Sequence, residues 1–466
     1  MKPFTGFKKV HFIGIGGAGM SAMAEVMYQQ GFVVTGSDME KSEMTDYLAS
    51  LGIMVMKGHK EGQDSGADVV IYSSAVKNDN PELVAARKRG IPTAKRAEAL
   101  AEIMKKKWTL AVSGSHGKTT TTFMLSSIWQ TAGLEPTVIG GGAAQGAISG
   151  AIAGKGDYLI AEADEYDHSF LSMYPTFTII NNIDDDHLDC YGSLEKVKDA
   201  FVEYTRRTPF CGIVAVNNDD PGVISIKARL REATKGMFIS FGFTKEADYR
   251  AVEPVDNTTA GIFDIECAAG CFRVNLSLSG HHNISNALGA FAISHALGLA
   301  PETIVQGLDN FNGVRRRMEL VGNTNGVSIY DDYAHHPAEV SASLEAMDQI
   351  KGERLVVVFQ PHLFSRTKQH AKSFASALQA CDVLFVLPVY AAREKPIEGV
   401  DGYLIADSAK AFGHESIYYL PDKSVWMDEI SSRLQPGDTL VTMGAGDVWK
   451  LGKAVMNTLK EGVIKI

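Results

Sequence analysis

Cysteine is scarce in this sequence of 466 residues, which contains only five. The number is odd, and only Cys267 and Cys271 lie close together, so the spacing fits neither a disulfide framework nor a paired CxxC zinc site. Reduced thiols are typical of the cytoplasm, which is the location we predict. Long apolar runs are missing as well: none approaches the roughly 18 residues that span a bilayer, so we expect no membrane partner.

Basic residues are also fewer than acidic ones. The chain has 45 Lys and Arg against 55 Asp and Glu, a formal net charge of −10. Nucleic-acid and anionic-membrane binders usually carry a basic face, so we expect no nucleic-acid partner. A small anionic substrate stays compatible with this balance, because local charge can oppose the global sign. We expect a monomer or a weak homodimer.

Glycine, in contrast, is abundant, with 45 residues where an average of about 7% would give roughly 33. The excess has no collagen-like period, so we expect it in βα turns and in loops that approach a ligand closely. Short β-rich apolar runs alternate with helical patterns almost throughout, which indicates parallel α/β sheets. At about 100–200 residues per domain, the length favours three domains.

We place the domain boundaries near residues 107 and 312. Residues 1–107 are predicted to form a Rossmann-like domain, and residues 313–466 a second Rossmann-like α/β domain. Residues 108–312 are predicted to form a central P-loop ATPase-like α/β domain. Within it, residues 240–280 read as antiparallel strands joined by polar turns, which predicts a small β-insert on the α/β core.

The first motif is a glycine loop at residues 14–19 that satisfies GxGxxG between a predicted strand and a predicted helix. Its glycines let backbone N–H groups approach a diphosphate at the helix N-terminus. Asp38 ends the next predicted strand, near the distance at which an acid holds a ribose hydroxyl. The motif is typical of NAD-type binding, but a UDP-linked substrate presents the same diphosphate. A tight βα turn without a ligand is the third interpretation.

The second motif, GSHGKTT at residues 114–120, lies between a predicted strand and a predicted helix. In such a loop, backbone N–H groups cradle phosphates, Lys118 neutralises the β- and γ-phosphate oxygens, and Thr119 offers its hydroxyl to Mg²⁺. The usual P-loop has a glycine six residues before its lysine, where this chain has Val112. We therefore predict nucleotide binding by a shorter variant of the loop.

Two acidic segments follow predicted strands of the same domain, at residues 162–167 and 184–189. Carboxylates at the carboxyl end of a strand in a P-loop domain are placed to hold Mg²⁺, and Glu162 is the first of them. His187 stands among four acids and is a candidate metal ligand. Solvated acidic loops and a structural histidine are the alternatives.

Two phosphate-type sites in successive domains call for one reaction that uses both. A dehydrogenase needs no GKT loop, and a simple NTPase needs no GxGxxG domain. A ligase that joins a nucleotide-linked acid to another group, driven by ATP, needs the two together.

Four segments resemble motifs of the Mur ligase family, which builds the peptide of bacterial cell-wall precursors. They occur in the family's order, and the similarity covers essentially the whole chain. The segments are GSHGKTT at 114–120, GHHNISN at 280–286, FNGVRRR at 311–317 and DYAHHP at 332–337.

Within the family, the chain looks most like the members that join L-alanine to UDP-N-acetylmuramate. The resemblance rests on GIGGAGM at 14–20, on residues 162–171, and on FQPH at 359–362 with SRT at 365–367. The alternative is the recycling members, which attach a whole tripeptide to the same UDP-sugar and share the EADEYD spelling. The alanine-adding members often have Ser at position 166, Arg at 363 and an aromatic residue at 318, where this chain has Tyr, Leu and Met. An alternative of another class is a nicotinamide-dependent oxidoreductase.

The resemblance implies that ATP phosphorylates the muramic acid carboxylate and that the amino group of L-alanine attacks the acyl phosphate. Two anions, the γ-phosphate and the carboxylate, must meet, so metals and cations have to screen them. The implied cofactors are ATP and Mg²⁺, with two metal sites and with Mn²⁺ able to substitute. The implied role is peptidoglycan precursor synthesis, and through it cell shape and division. Because the sites are split over three domains, we expect closure on ligand binding.

The resemblance also assigns residues to the ATP and metal sites. The predicted ATP-binding residues are Gly114, Ser115, His116, Gly117, Lys118, Thr119, Thr120, His282, Asn286, Arg316, Arg317 and Asp332. His282 and Asn286 are expected near the adenine, and the two arginines near the triphosphate. The predicted metal ligands are Thr119, Glu162 and His187.

The remaining assignments concern the other two substrates. The predicted UDP-sugar residues are Gly14, Gly16, Gly17, Ala18, Gly19, Ser37, Asp38, Ser73 and Ser74. The residues expected to orient the carboxylate or the amino acid are His335, His336, His362 and Arg366. Packing at turns and at a helix N-terminus is the alternative role for these histidines. The predicted catalytic residues are Lys118, His187, Glu162, Arg366 and His336.

Overall fold

The computed structural model describes residues 6–64, 66–185, 188–252, 261–392 and 394–460. The chain forms two compact units, Met1–Val314 and Arg315–Ile466. The first unit contains two sheets and the second contains one, and helices connect the strands of each. The predicted three-domain α/β architecture is confirmed. Among the described residues, no helix is long and apolar enough to cross a membrane.

The first sheet has five parallel strands in the order β3-β2-β1-β4-β5. Its strands are β1 Lys9–Ile13, β2 Val33–Asp38, β3 Met54–Lys57, β4 Val69–Tyr72 and β5 Thr93–Lys95. Its helices are α1 Ala18–Gln29, α2 Glu43–Ser50, α3 Pro81–Lys88 and α4 Arg96–Met104. The strand order reverses at β1, and open α/β sheets bind ligands in the crevice at such a point.

The second sheet has ten strands in the order β15-β14-β13-β12-β11-β10-β6-β9-β7-β8. Its strands are β6 Trp108–Ser113, β7 Thr137–Ile139, β8 Ala151–Ile152, β9 Tyr158–Glu162, β10 Phe177–Ile180, β11 Ile213–Asn217, β12 Met237–Gly242, β13 Tyr249–Val252, β14 Gly261–Cys267 and β15 Gly270–Leu276. Its helices are α5 Lys118–Thr131, α6 Leu188–Tyr191, α7 Leu194–Thr205, α8 Pro221–Ala233, α9 His281–Ala296 and α10 Pro301–Asp309. A 3₁₀ helix covers Tyr166–Ser172.

The predicted β-insert is the far edge of this second sheet. β13 pairs in parallel with β12, and β14 and β15 continue the sheet in antiparallel fashion. The insert therefore shares one hydrogen-bonded surface with the P-loop strands. Glu253, which we predicted to end β13, lies outside the described residues.

The second unit holds a six-stranded sheet in the order β16-β17-β21-β18-β19-β20, parallel except for the β16–β17 hairpin. Its strands are β16 Glu319–Thr324, β17 Val327–Asp332, β18 Arg354–Phe359, β19 Val383–Val386, β20 Ile417–Tyr419 and β21 Asp438–Met443. Its helices are α11 Pro337–Ile350, α12 Phe364–Ala377, α13 Tyr403–Ala411, α14 Trp426–Ser431 and α15 Trp449–Lys460.

Helix α1 explains how the first two sheets share a core. Its residues from Met20 to Met27 are all buried, and it packs against strands of the first sheet and against β7 and β8 of the second. A helix that is buried on every side needs packing partners on every side. The glycine loop that precedes α1 is thereby fixed relative to the second sheet.

Several element ends differ from the predicted ones for identifiable reasons. We predicted the first strand to continue to Ile15, but it ends at Ile13 because Gly14 has φ +78° and turns the chain. The Gly14 and Ile15 N–H groups both donate to the Ser37 carbonyl instead of extending the strand. The strand predicted for residues 383–388 ends at Val386, two residues before a proline that cannot donate to the ladder.

Candidate active site

The P-loop joins the end of β6 to the start of α5, in the middle of the second sheet. Gly114 has φ +136°, and a Cβ there would lie 3.0 Å from the Asn182 nitrogen. Gly117 has φ +78°, and a Cβ there would lie 2.4 Å from Asn286 Oδ1. Glycine is therefore required at both positions, by backbone conformation and by space. The loop leads into the N-terminus of a 14-residue helix, a position that favours anions.

Lys118 already has partners in this loop. Its Nζ donates to the Gly114 carbonyl at 2.6 Å and forms an ion pair with Glu165 Oε2 at 2.8 Å. Burial alone would lower the pKa of Lys118, but the surrounding carboxylates, Glu165 foremost, outweigh it and raise that pKa. Lys118 is thus charged, and a phosphate has to compete with Glu165 for it.

Glu162 and Thr119 lie together as the predicted metal site requires. Glu162 ends β9, and its Oε1 accepts a hydrogen bond from the Gly141 nitrogen at 2.5 Å. Burial raises the pKa of Glu162, although the Gly141 N–H and the Thr119 hydroxyl both lower it. Hydroxyl and carboxylate oxygens are the donors that Mg²⁺ prefers, and a cation would compensate the buried carboxylate. These two residues therefore fit a Mg²⁺ ion.

The second acidic segment also reaches the P-loop. The Asp184 nitrogen donates to Ser115 Oγ at 2.9 Å, and Asp184 Oδ2 lies 3.4 Å from His116 Nε2. The His116 nitrogen donates to Asn182 Oδ1 at 2.7 Å. His187 lies outside the described residues, so its role as a metal ligand stays a prediction.

Helix α9 contributes Asn286 to the P-loop wall. Asn286 is buried, and its Oδ1 accepts from Asn181 Nδ2 at 3.4 Å, while the same Nδ2 donates to Thr121 Oγ1 at 3.0 Å. His282 lies one turn earlier, in the first turn of α9. Asn286 therefore supports the phosphate loop, and its predicted contact with the adenine stays a prediction.

The glycine loop at residues 14–19 lies at the carboxyl edge of the first sheet, where it contacts Asp38 and approaches Ser73. The Gly16 nitrogen donates to Asp38 Oδ2 at 2.8 Å. A Cβ at Gly14 would lie 3.3 Å from Ser73 Cβ. Ser74 is exposed in the turn after β4. Gly17 is the N-cap of α1, and Ala18 and Gly19 form the first turn of that helix.

Ser37 faces a different environment from the one we predicted for a UDP-sugar residue. Its side chain is fully buried and donates to Glu82 Oε1 at 2.7 Å. Glu82 also bonds His11 Nε2 and His59 Nδ1, each at 2.7 Å. Burial alone would raise the pKa of Glu82, but the hydrogen bonds from His11, Ser37 and His59 hold it below its ordinary range. Only the Ser37 carbonyl faces the glycine loop.

In the second unit, the arginine segment is held by its own sheet. Arg316 Nε bonds Asp331 Oδ2 at 2.9 Å, and Arg316 Nη2 donates to the Gly444 carbonyl at 2.7 Å. Asp332 is buried and accepts from the Met318 and Ala334 nitrogens at 2.8 and 2.7 Å. Burial raises the pKa of Asp332, against the opposing charge of Arg317.

The predicted amino-acid residues cluster after β17 and β18. The rings of His335 and His362 have centroids 5.8 Å apart, and His362 stacks on Tyr390 at 5.9 Å. His336 is buried as the N-cap residue of α11, and Arg366 lies in the first turn of α12. Leu363, the position noted for its departure from the family pattern, has φ +69°, a conformation that costs a leucine energy and is typical of functional loops.

Sequence reasoning missed three charged residues that the fold brings to these loops: Glu165, Glu82 and Arg96. Glu165 belongs to the acidic segment at residues 162–167, but the sequence of that segment does not show whether a given carboxylate pairs with a lysine or binds a metal. Glu82 and Arg96 are isolated charges in helices, and their partners lie 23 to 71 residues away.

A P-loop beside paired oxygen donors, in one unit with a diphosphate-type glycine loop, defines a nucleotide-binding α/β protein of the P-loop class. Three family models match the chain in succession: "Mur ligase family, catalytic domain" at residues 9–108, "Mur ligase middle domain" at 112–294 and "Mur ligase, glutamate ligase domain" at 316–446. The chain belongs to the Mur ligase family.

Individual relatives agree with this assignment. The chain is 41% identical over 455 residues to the UDP-N-acetylmuramate–L-alanine ligase of Syntrophus aciditrophicus, covering 97% of this chain and 94% of that protein. The crystal structure of the UDP-N-acetylmuramate–alanine ligase of Thermotoga maritima matches with a TM-score of 0.82 at 29% identity, covering 97% and 99%. A murein peptide ligase of Psychrobacter arcticus shares the fold, with a TM-score of 0.75 at 24% identity over 99% and 100%.

Proposed function

We propose that this chain is an ATP-dependent ligase that joins L-alanine to the carboxylate of UDP-N-acetylmuramate in peptidoglycan precursor synthesis. The observation that carries the proposal is the P-loop of Lys118 and Thr119 with Glu162, in the same unit as a diphosphate-type glycine loop. Near-full-length similarity to relatives named for this reaction supports the choice of substrates.

In the proposed reaction, ATP phosphorylates the muramic acid carboxylate and the amine of L-alanine displaces phosphate from the acyl phosphate. The N–H groups of residues 114–117 and the Lys118 ammonium bind the phosphates. Thr119 and Glu162 would hold Mg²⁺, or Mn²⁺ in its place, and the ion would reduce the repulsion between the two anionic reactants. His187 remains our candidate for a second metal.

The three domains take separate roles in this proposal. Residues 1–107 bind the UDP-sugar, residues 108–312 bind ATP, and residues 313–466 bind the amino acid. His335, His336, His362 and Arg366 are the groups assigned to the amino acid and the carboxylate, and Arg316, Arg317 and Asp332 are assigned to the nucleotide. A cytoplasmic monomer or weak homodimer stays our expectation.

A second candidate is the recycling reaction that attaches a whole tripeptide to the same UDP-sugar. Tyr166 in the EADEYD segment favours it, because the alanine-adding members often have Ser there. The FQPH and SRT segments at residues 359–367 favour the alanine-adding reaction. The oxidoreductase alternative has no support among the matched families, all three of which are ligase domains.

Phosphate release from ATP tests the proposal directly. The purified chain is mixed with ATP, Mg²⁺ and UDP-N-acetylmuramate, and then with L-Ala, Gly, L-Ser or the tripeptide L-alanyl-γ-D-glutamyl-meso-diaminopimelate in turn. We expect release that needs both the UDP-sugar and an amino acid and is fastest with L-Ala. Lys118→Ala should abolish it. Release only with the tripeptide would favour the recycling reaction, and release with neither would overturn both.

A further inference from the structure

Arg96 lies between the two phosphate-type loops of the first unit. It is the first residue of α4, directly after β5, at the carboxyl edge of the first sheet. Its guanidinium lies against Gly19, where an added Cβ would be 2.9 Å from Nη1 and 3.3 Å from Cζ. The side chain is only 22% exposed. A mostly buried positive charge therefore covers the first turn of α1, beside the glycine loop.

The guanidinium is poorly satisfied in this position. Its carboxylate neighbour is Asp164, whose Oδ2 lies 3.8 Å from Nη2, beyond hydrogen-bond distance. Arg96 side-chain nitrogens donate no hydrogen bond to any residue of the described ranges. Guanidinium has five N–H donors, and because the Arg96 side chain keeps some solvent access, its donors are available to an added anion.

Asp164 belongs to the loop that forms one wall of the nucleotide site. The same loop carries Glu162, which bonds Gly141, and Glu165, which pairs with Lys118. Asp164 is also one of the charges that raise the pKa of Lys118. A change in the ion pairing of the Asp164 carboxylate therefore changes the electrostatic potential at Lys118.

A second contact anchors this loop to the first domain. Lys95 Nζ forms an ion pair with Asp167 Oδ2 at 2.9 Å. Asp167 and His168 have φ values of +54° and +55°, which non-glycine residues adopt at a cost in energy. The 3₁₀ helix Tyr166–Ser172 packs against α4. The start of α4 and the acidic loop are thus held together while Arg96 itself is loosely paired.

We propose that Arg96 binds the diphosphate of the UDP-sugar at the glycine loop and exchanges Asp164 for that anion, so that UDP-sugar binding is coupled to the nucleotide site. The inference rests on the proposed function, which supplies the UDP-sugar. Arginine suits the task because its planar fork can give two parallel hydrogen bonds to a phosphate. The Asp164 carboxylate, released from Arg96, then acts on Lys118 and its surroundings alone.

Calorimetric titration of the full-length chain with UDP-N-acetylmuramate tests the binding role. Charge-assisted hydrogen bonds contribute enough that Arg96→Gln should raise the dissociation constant about ten- to a hundredfold. Its affinity for Mg-ADP should equal that of the wild-type chain saturated with UDP-N-acetylmuramate, because Asp164 is released from Arg96 in both. Arg206→Gln is the matched control, because Arg206 is exposed in a surface pair with Glu203 and should leave both affinities as they are.

The coupling is tested by combining Arg96→Gln with Asp164→Asn. Asp164→Asn alone should tighten UDP-sugar binding several-fold, because it removes the competitor for Arg96. In the Arg96→Gln background it should have no effect. If Asp164→Asn changed the UDP-sugar affinity equally in the wild-type and Arg96→Gln chains, the proposed exchange of Asp164 for the diphosphate would be overturned.

Other outcomes separate this inference from the proposed function. Failure of the wild-type chain to bind UDP-N-acetylmuramate would contradict the proposed function itself. Wild-type UDP-sugar affinity in Arg96→Gln would overturn only the role of Arg96. If Arg96→Gln does not fold, the same two titrations, with UDP-N-acetylmuramate and with Mg-ADP, are carried out on Arg96→Lys. Weakened UDP-sugar binding, with a Mg-ADP affinity equal to that of the wild-type chain saturated with the UDP-sugar, supports the proposal. Weakened UDP-sugar binding with the Mg-ADP affinity of the unliganded wild type overturns the coupling, and wild-type affinity for both ligands overturns the role of Arg96.

Discussion

Lys118 shows how strongly the residues of this site depend on one another. A P-loop lysine has to meet phosphate oxygens, yet here Glu165, which is almost fully buried, holds its ammonium group. The pair satisfies two charges that would otherwise be costly to bury. A bound nucleotide must displace Glu165, so part of its binding free energy goes into breaking this ion pair.

The first prediction concerns this competition. Glu165→Gln should tighten binding of ADP measured without Mg²⁺ by several-fold to about tenfold, because the phosphates no longer compete with a carboxylate for Lys118. Glu102→Gln, at an exposed surface pair with Lys105, should change nothing. Isothermal titration of both variants gives the answer. Weaker ADP binding in Glu165→Gln would show instead that Glu165 positions the lysine for the nucleotide.

The second prediction concerns the pH dependence of Glu82. Its pKa in the folded protein lies below the ordinary value of 4.5, so the ionised carboxylate stabilises the fold above that value. This stability is lost as the pH falls through the folded pKa. We expect the urea midpoint of the wild-type chain to drop as the pH falls below the ordinary Glu pKa of 4.5, and the midpoint of Glu82→Gln to drop less.

The control for this experiment is Glu61→Gln, at an exposed position close to His59 in the chain. It should follow the wild-type profile over the whole range. Identical pH profiles for wild type and Glu82→Gln would contradict the role given to the hydrogen bonds from His11, Ser37 and His59.

At the residue scale, the sequence revealed motif residues and missed their charged partners. Lys118, Thr119 and Glu162 could be predicted because their roles follow from a short pattern on a strand and a turn. Glu82 and Arg96 could not, because each acquires its role from residues that the fold brings in from β1, β2 and the loop after β9. The bond of the Ser37 side chain to Glu82 could not be predicted for the same reason, since the two residues lie 45 positions apart, and the contact of Ser37 with the UDP-sugar stays a prediction.

At the element scale, close helix packing sets the position of the P-loop helix. α10 packs on α5 with Gly307 at the contact, and the Gly307 carbonyl accepts from Ser127 Oγ at 2.7 Å. A Cβ at Gly307 would lie 2.4 Å from Ile128 Cα, a backbone atom that cannot move alone. The helix that carries Lys118 therefore depends on a small residue far away in sequence.

The third prediction follows from that contact. Gly307→Ala should destabilise the chain, because overpacking costs about 1–3 kcal/mol and exceeds the gain of about 1 kcal/mol in helix propensity. Gln306 is exposed and directly precedes Gly307 in the same helix, so Gln306→Ala should be neutral or slightly stabilising. Urea unfolding followed by circular dichroism compares the two. A stabilised Gly307→Ala chain would mean that α5 and α10 separate easily.

The elements themselves were largely predictable, and their order in the sheets was not. Apolar runs predict strands at residues 10–15, 69–72 and 108–112, and the observed β1, β4 and β6 agree with these bounds to within two residues, because strand formation leaves a local pattern. The position of β6 between β10 and β9 depends on pairing across long segments of chain. The continuity of β13–β15 with the P-loop sheet was missed for the same reason.

At the scale of the whole molecule, the net charge of −10 coexists with sites for anionic ligands. The structure offers local features that favour small anions: two helix N-termini that follow glycine loops, and single cations such as Lys118 and Arg96. We expect the bulk charge to disfavour polyanion partners, and we expect a few oriented donors to determine which small anions bind.

The last prediction asks whether both units take part in nucleotide binding. The P-loop lies in the first unit, whereas Arg316, Arg317 and Asp332 lie in the second and were assigned to the nucleotide by family resemblance alone. We expect Mg-ADP with UDP-N-acetylmuramate to slow amide hydrogen exchange at residues 113–121 and also at residues 315–336. Asp332→Asn should remove the second effect and keep the first. Protection confined to the first unit with every ligand combination would contradict the assignment of these three residues to the nucleotide.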